Sequence, residues 1–239
     1  MKLITKGRLP HSYVLNIFGL RIKFRNKFVL KNNKFIVVGV DGKEVRKSVK
    51  GLKIVFLGEN STVKVYSPCS KFRNTTIFCG DNASVVIEAS TKNIYNLTAH
   101  VTSDGASLNI GKDVKIRGGS IVIKDSQNLS VNIGERCLIA NGVKIRTTDF
   151  HTVFDNETKQ PLNPPQSVNI GKHCWICENA TIAKSVSIPD NTIVAAHSYV
   201  TKSFDKPNTI IGGIPAKIIK DQNTNWTEMP YEEYKDTLI

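Results

Sequence analysis

The chain has 239 residues, of which 40% are apolar and 22% charged, with 33 Lys and Arg against 20 Asp and Glu for a formal net charge of +13. No apolar run reaches the roughly 20 residues that a membrane-spanning helix needs. The stretch after Met1 is interrupted by Lys2, Lys6, Arg8 and Pro10, which does not read as a signal peptide. We therefore expect a cytoplasmic protein whose five cysteines (Cys69, Cys79, Cys137, Cys174 and Cys177) are reduced thiols.

The charge is concentrated at one end. Residues 1–56 carry 14 Lys and Arg against Asp41 and Glu44, whereas residues 221–239 carry five acids against Lys235. The basic end reads either as a solvated face or as a surface that recruits an anionic polymer or anionic lipid, the latter at the inner face of a membrane. No recognised nucleic-acid motif accompanies it and the aromatics form no stacking platform, so no nucleic-acid partner is expected. Within residues 12–40, two strand-like stretches, Tyr13–Phe28 and Val29–Val40, predict a β-ribbon over residues 1–51 that caps the first coil of a repeat domain.

From about Leu52 a loose repeat begins, with FLGENSTVKV at Phe56, FCGDNASVVI at Phe78 and NIG triplets at Asn109, Asn132 and Asn169. The uneven spacing predicts loops bulging from these coils. The triplet at Asn132 opens three regular hexads (Ile133, Ile139, Ile145), and a segment over 147–167 then interrupts the repeat. It reads TTDFHTVFDNETKQPLNPPQS, with His151 between Asp149 and Asp155 and a return restricted by Pro161, Pro164 and Pro165. Loops that a solenoid extrudes are where repeat proteins tend to place function.

Beyond the loop an aliphatic residue recurs at every sixth position: Ile170, Ile176, Ile182, Ile188, Val194 and Val200. A helix repeats near 3.6 residues and a half-buried strand every 2, so a strict six predicts short strands separated by identical turns, stacked as an all-β solenoid. The residues two places earlier (Val168, Cys174, Ala180, Val186, Thr192, Ser198) are small or modest and suit a second inward position. This register turns Cys174 inward and separates it from Cys177, so the CxxC is not read as a metal site, and no metal is expected. Residues 52–220 thus form one repeat domain, and 221–239 a short tail that either packs across a subunit boundary through Trp226, Tyr231 and Tyr234 or frays.

Three motifs carry a resemblance. Asp149-Phe150-His151 in the interrupting loop, Cys174-Trp175-Ile176-Cys177-Glu178, and the stretch from Ala195-Ala196-His197-Ser198-Tyr199-Val200-Thr201-Lys202 to Gly213-Ile214-Pro215-Ala216-Lys217-Ile218-Ile219-Lys220 are together similar to the left-handed β-helix acyltransferases. Within that family the chain most resembles the enzymes that O-acetylate bacterial capsular polysaccharides and sialic acids. The resemblance implies a left-handed parallel β-helix, acetyl-CoA as donor, a homotrimer with the donor between adjacent solenoids, and a carbohydrate acceptor, an anionic polysaccharide given the basic N-terminal segment. It also implies direct attack on the thioester, with His151 as general base and Trp175 beside the acetyl group, its ring walling the pocket or its N–H supporting the oxyanion.

The same resemblance implies further roles. Glu178 and Ala196 contact the pantetheine arm through their backbones, Thr201 reaches the adenine end, and Lys202, Lys217 and Lys220 lie near the CoA phosphates. Cys177, Pro189 and His197 depart from the family's pattern by standing where glycine is common. Asp149 or Asp155 either orients the imidazole or caps the loop's own amides. An N-acetyltransferase of a nucleotide-linked amino sugar, or a catalytically silent β-helix scaffold, are the alternatives that the residues leave open.

Overall fold

A computed structural model of the chain describes residues 12–17, 20–25, 32–221 and 223–238. It contains two compact units, Met1–Lys31 and Asn32–Ile239. In the first, Ser12–Ile17 pairs antiparallel with Leu20–Arg25, so the described part of the first expected ribbon stretch is an antiparallel strand pair. The remaining basic residues of that unit lie outside the described residues. The second stretch does something else: Lys34–Val38 pairs in parallel with Thr62–Tyr66. The coils therefore begin upstream of the boundary expected at residue 52. The lysines and Asn33 around this strand disguise it, since its core contribution is the short run Ile36, Val37 and Val38.

From Asn32 onward the chain winds through three sheets of eight, seven and eight strands, parallel throughout except for one antiparallel edge strand on each eight-stranded sheet, Glu44–Val45 against Lys34–Val38 and Ala216–Lys220 at the far end. In each regular coil it visits a first face (as at Val168–Ile170), a second (Trp175–Ile176) and a third (Thr181–Ile182) before returning to the first at Ser187–Ile188. Along the second face Ile94, Ile116, Ile139, Ile176, Val194 and Ile211 stand in register on successive coils. All six are at most 3% exposed. Every aliphatic of the six hexads and every residue two places before it is buried, which is the inward pair that the period of six predicts. Stacking β-branched side chains at fixed spacing fills such an interior well, and each fully buried Ile or Val contributes about 1.5–3 kcal/mol.

The earlier, looser coils repeat differently from the expectation of bulging loops. Register partners are 22 residues apart between Thr62 and Ser84 and 23 apart between Ser84 and Ser107, against 18 between Asn169 and Ser187. The extra residues lengthen strands: Thr75–Cys79, Leu97–Val101 and Gly119–Ile123 on the third face have five residues each, where Thr181–Ile182 has two.

Corners are held by residues that tolerate a left-handed backbone. Asn179, His197, Arg136, His173, Asn191 and Asn208 all have φ between 52° and 58°. His197 thus occupies a conformation that glycine adopts without strain, which explains why glycine is common there. The NIG triplets stack: Asn109 donates to Asn132 (2.7 Å) and Asn132 to Asn169 (2.8 Å), forming an amide ladder on the outer first face. At the last position of the triplets, a Cβ on Gly134 would lie 2.6 Å from the Gly171 backbone, so close coil contact requires glycine. Cys174 points inward as expected, and its partner is Cys137 of the preceding coil, whose sulfur accepts from the Cys174 N–H at 3.3 Å.

At the far end the repeat is closed by Ile210–Gly213 turning into the antiparallel Ala216–Lys220. The described residues contain one helix, Tyr231–Asp236, and no helix long and apolar enough to cross a membrane.

Candidate active site

The segment 147–167 leaves the third face after Val143–Arg146 and rejoins the first at Val168–Ile170. It is an ordered excursion. Buried Thr147 donates its N–H to Val122 (3.0 Å), and the Thr148 hydroxyl bridges Asp125 (2.7 Å) and the Phe150 N–H (2.9 Å). Farther out, Leu162 N–H bonds Val153 O (2.7 Å) and Asp155 N–H bonds Gln160 O (2.9 Å), with Phe154 opposite Pro161. The proline-rich return is thus one limb of a narrow hairpin. His151 lies exposed on the other limb, one residue after Phe150, which holds φ at 68° under the cations of Lys124 and Arg146.

The two flanking aspartates resolve differently. Asp155 caps the loop, accepting from the N–H groups of Glu157 (3.0 Å) and Thr158 (2.7 Å) and from the Thr158 hydroxyl (2.9 Å). Those bonds, the Thr158 N–H foremost, hold its carboxyl below the ordinary range. Asp149 does neither of the things expected of it. Its Oδ2 lies 2.9 Å from the Lys184 ammonium and accepts from Asn163 Nδ2 at 3.0 Å. Partial burial pushes this carboxyl up, but Lys184 and Asn163 together outweigh it, so it too lies below the usual carboxylate range. Neither Asn163 nor Lys184 stands out in the sequence; Lys184 is 35 residues from its partner, and nothing in the hexad pattern marks it.

Trp175 lies on the outer side of the second face, in register with Leu138 and Ile193. Its N–H donates to Thr192 O at 3.0 Å within the coil ladder. The expectation that this N–H supports an oxyanion is therefore corrected: the donor is already committed to holding two coils together, and the ring is what the site can use. That ring is partly covered by the chain's own tail. Trp226 tilts against it with centroids 5.8 Å apart, stacks on His173 at 4.6 Å and donates Nε1 to His173 O at 2.8 Å. Glu228 then bridges Lys92 and Lys115. Through Trp226 and Glu228 the tail packs on its own solenoid, whereas Tyr231 and Tyr234 beyond them are exposed.

The remaining residues distribute over different sides of the prism. Glu178 and Ala196 sit on consecutive coils at the corner between the second and third faces, linked by His197 N–H to Glu178 O at 2.9 Å. Thr201 comes directly after the third-face strand Tyr199–Val200 and lines, with Asp149, Lys184 and Tyr199, a cleft of about 320 Å³ beneath the loop. Lys202 is exposed beside Phe204, and Lys217 and Lys220 are exposed on the closing strand. His151, at the corner between third and first faces, and Trp175, on the opposite second face, are not brought together within one chain.

Comparison with known proteins agrees with this architecture. Residues 167–202 match a family model described as the hexapeptide repeat of succinyl-transferase. A polysialic acid O-acetyltransferase from Neisseria meningitidis is 34% identical over 189 residues, covering 78% of this chain and 86% of the relative. The galactoside O-acetyltransferase of Escherichia coli K12 is 29% identical over 133 residues, 56% of this chain and 63% of the relative. Among solved structures, the polysialic acid O-acetyltransferase OatWY superposes with a TM-score of 0.70 at 28% identity, covering 87% and 97% of the two chains. The polySia-specific acetyltransferase NeuO gives 0.71 at 26% identity over 84% and 81%. The coil is a left-handed parallel β-helix, as in these neighbours. The chain is an acyltransferase, a member of the hexapeptide-repeat acetyltransferase family that includes the polysialic acid O-acetyltransferases.

Proposed function

We propose that this enzyme transfers the acetyl group of acetyl-CoA to a hydroxyl of an anionic capsular polysaccharide, a sialic acid polymer, on the cytoplasmic side of the membrane. The observation that carries the acceptor is the 34% identity across 86% of a polysialic acid O-acetyltransferase. The basic N-terminal segment, with 14 Lys and Arg against two acids in residues 1–56, fits a polyanion. His151 accepts the hydroxyl proton as the sugar oxygen attacks the thioester carbonyl. Collapse of the tetrahedral adduct breaks the C–S bond, and the imidazolium returns the proton to the departing CoA sulfur. The ring of Trp175 walls the acetyl group, the corner at Glu178 and Ala196 takes the pantetheine arm, and Thr201, Lys202, Lys217 and Lys220 face the nucleotide end.

Because His151 and Trp175 lie on different sides of one prism, this reading includes a homotrimer in which the loop of one chain meets the second face of its neighbour. The test is thiol release from acetyl-CoA with purified protein and a panel of polysialic acid, neutral capsules and amino-sugar nucleotides. Turnover on polysialic acid giving an alkali-labile ester is expected. An alkali-stable amide on an amino-sugar nucleotide would reassign the acceptor.

A further inference from the structure

We infer that Asn163 and Lys184 form a clasp that positions the catalytic base through the backbone of its loop; this rests on the reading of His151 as that base. The hydrogen bonds around the histidine converge on these two side chains. Asn163, on the returning limb of the loop, reaches across to the outgoing limb and bonds three places in a row of alternate residues. Its amide nitrogen donates to the Asp149 carboxylate (3.0 Å) and to the carbonyl of His151 itself (2.9 Å), and its oxygen accepts the Val153 N–H (2.7 Å). Lys184 comes from the coil after the loop. Its ammonium is 2.9 Å from Asp149 on the outgoing limb and 3.3 Å from the Pro164 carbonyl on the returning one. The lysine side chain is 18% exposed, so it is fixed along the solenoid wall rather than waving in solvent.

Together they tie both limbs to each other and to the rigid coils at the one point where the loop carries its imidazole. Positions 149, 151 and 153 are anchored through a carboxylate, a carbonyl and an N–H, while the His151 ring enters none of the hydrogen bonds among the described residues. That is the arrangement a base needs: a fixed backbone under a ring left free for the incoming hydroxyl. A displacement of about 1 Å at a reacting group costs on the order of 100-fold in rate, so loosening this backbone acts on turnover rather than on donor binding.

The experiment compares Asn163→Ala, Asn163→Asp, Lys184→Met and Lys184→Arg with wild type and with His151→Ala, measuring kcat, the KM for acetyl-CoA and the rate of proteolytic nicking within residues 150–162. The expected result is a fall in kcat of about 10- to 100-fold for Asn163→Ala and Lys184→Met, with the acetyl-CoA KM within about twofold and faster nicking. Lys184→Arg restores most of the rate. Asn163→Asp is at least as slow as Asn163→Ala, because a second carboxylate beside Asp149 repels it while still accepting from Val153. Wild-type kcat in Asn163→Ala and Lys184→Met, alongside an inactive His151→Ala, overturns the clasp and leaves the base standing. An active His151→Ala removes the base reading and, with it, any base for the clasp to position. Loss of donor binding in parallel with kcat also overturns the inference, since it marks a general structural defect.

Discussion

Replacing Ile176 by alanine tests the stacked interior at the coil that carries Trp175. Ile176 is fully buried, with Ile139 in register on the coil before it and Val194 on the coil after. The substitution removes three carbons, about 2.4 kcal/mol at roughly 0.8 kcal/mol per buried CH₂-sized group. A cavity term adds to this, because the neighbours above and below belong to hydrogen-bonded coils that cannot close over the gap; Ile→Ala changes span about 2–5 kcal/mol, and this site belongs at about 3–4. For a chain of this size each kcal/mol lowers Tm by roughly 2–4 °C, so a drop of about 10 °C is expected in a thermal melt monitored by circular dichroism. Ile176→Val retains most of the packing and costs about 0.5–1.5 kcal/mol. Ile214→Ala, at a residue 75% exposed, serves as the control with little effect. Below its melting temperature Ile176→Ala keeps its activity, since the Trp175 ring faces away from the gap. A loss under about 1 kcal/mol would refute a tightly stacked interior here.

His151→Ala lowers kcat by about 10²- to 10⁴-fold while acetyl-CoA binding, measured by calorimetry, persists; parallel loss of both would count against a proton-transfer role. Glu228 gives a pH dependence of known sign: partial burial raises its carboxyl, but Lys115 and Lys92 outweigh this and hold it below the ordinary range. Its contribution to the tail's attachment is therefore complete above the unfolded carboxylate pKa and lost as pH falls through the lower folded value. Trp226 fluorescence on acid titration reports that release, and Glu228→Gln flattens it. Burial raises the Cys79 thiol to about 12 and that of Cys177 to about 11. At pH 8 both are expected to react with iodoacetamide far more slowly in the native protein than in urea, as read by mass spectrometry.

The period of six made the interior legible because inward residues must repeat wherever coils stack, and the loop that carries His151 was legible because it breaks that period. Contacts outside the repeat left no such trace. Asp149 meets Lys184 across 35 residues, and Glu228 meets Lys115 and Lys92 across 113 and 136. These pairs depend on which corner each coil turns, information that sequence spacing does not carry. The commitment of the Trp175 N–H to Thr192 was hidden for a related reason: periodicity reports where side chains point, whereas the ladder occupies backbone donors whatever the side chain. The first coil escaped because Lys34–Val38 contributes a short buried run in a basic neighbourhood.

The antiparallel turn that ends the coils has a consequence for solubility. A solenoid's last rung offers an unpaired parallel edge on which a second molecule's first rung can add, and repetition of that step produces fibres. Here Ala216–Lys220 folds back over Ile210–Gly213 with Ile211 opposite Ile218 and Gly212 opposite Lys217. The reversal occupies the second-face edge with a strand of the wrong polarity for further winding and leaves Lys217 and Lys220 exposed on it. The strand that closes the repeat thus also disfavours end-to-end addition of another copy on that face.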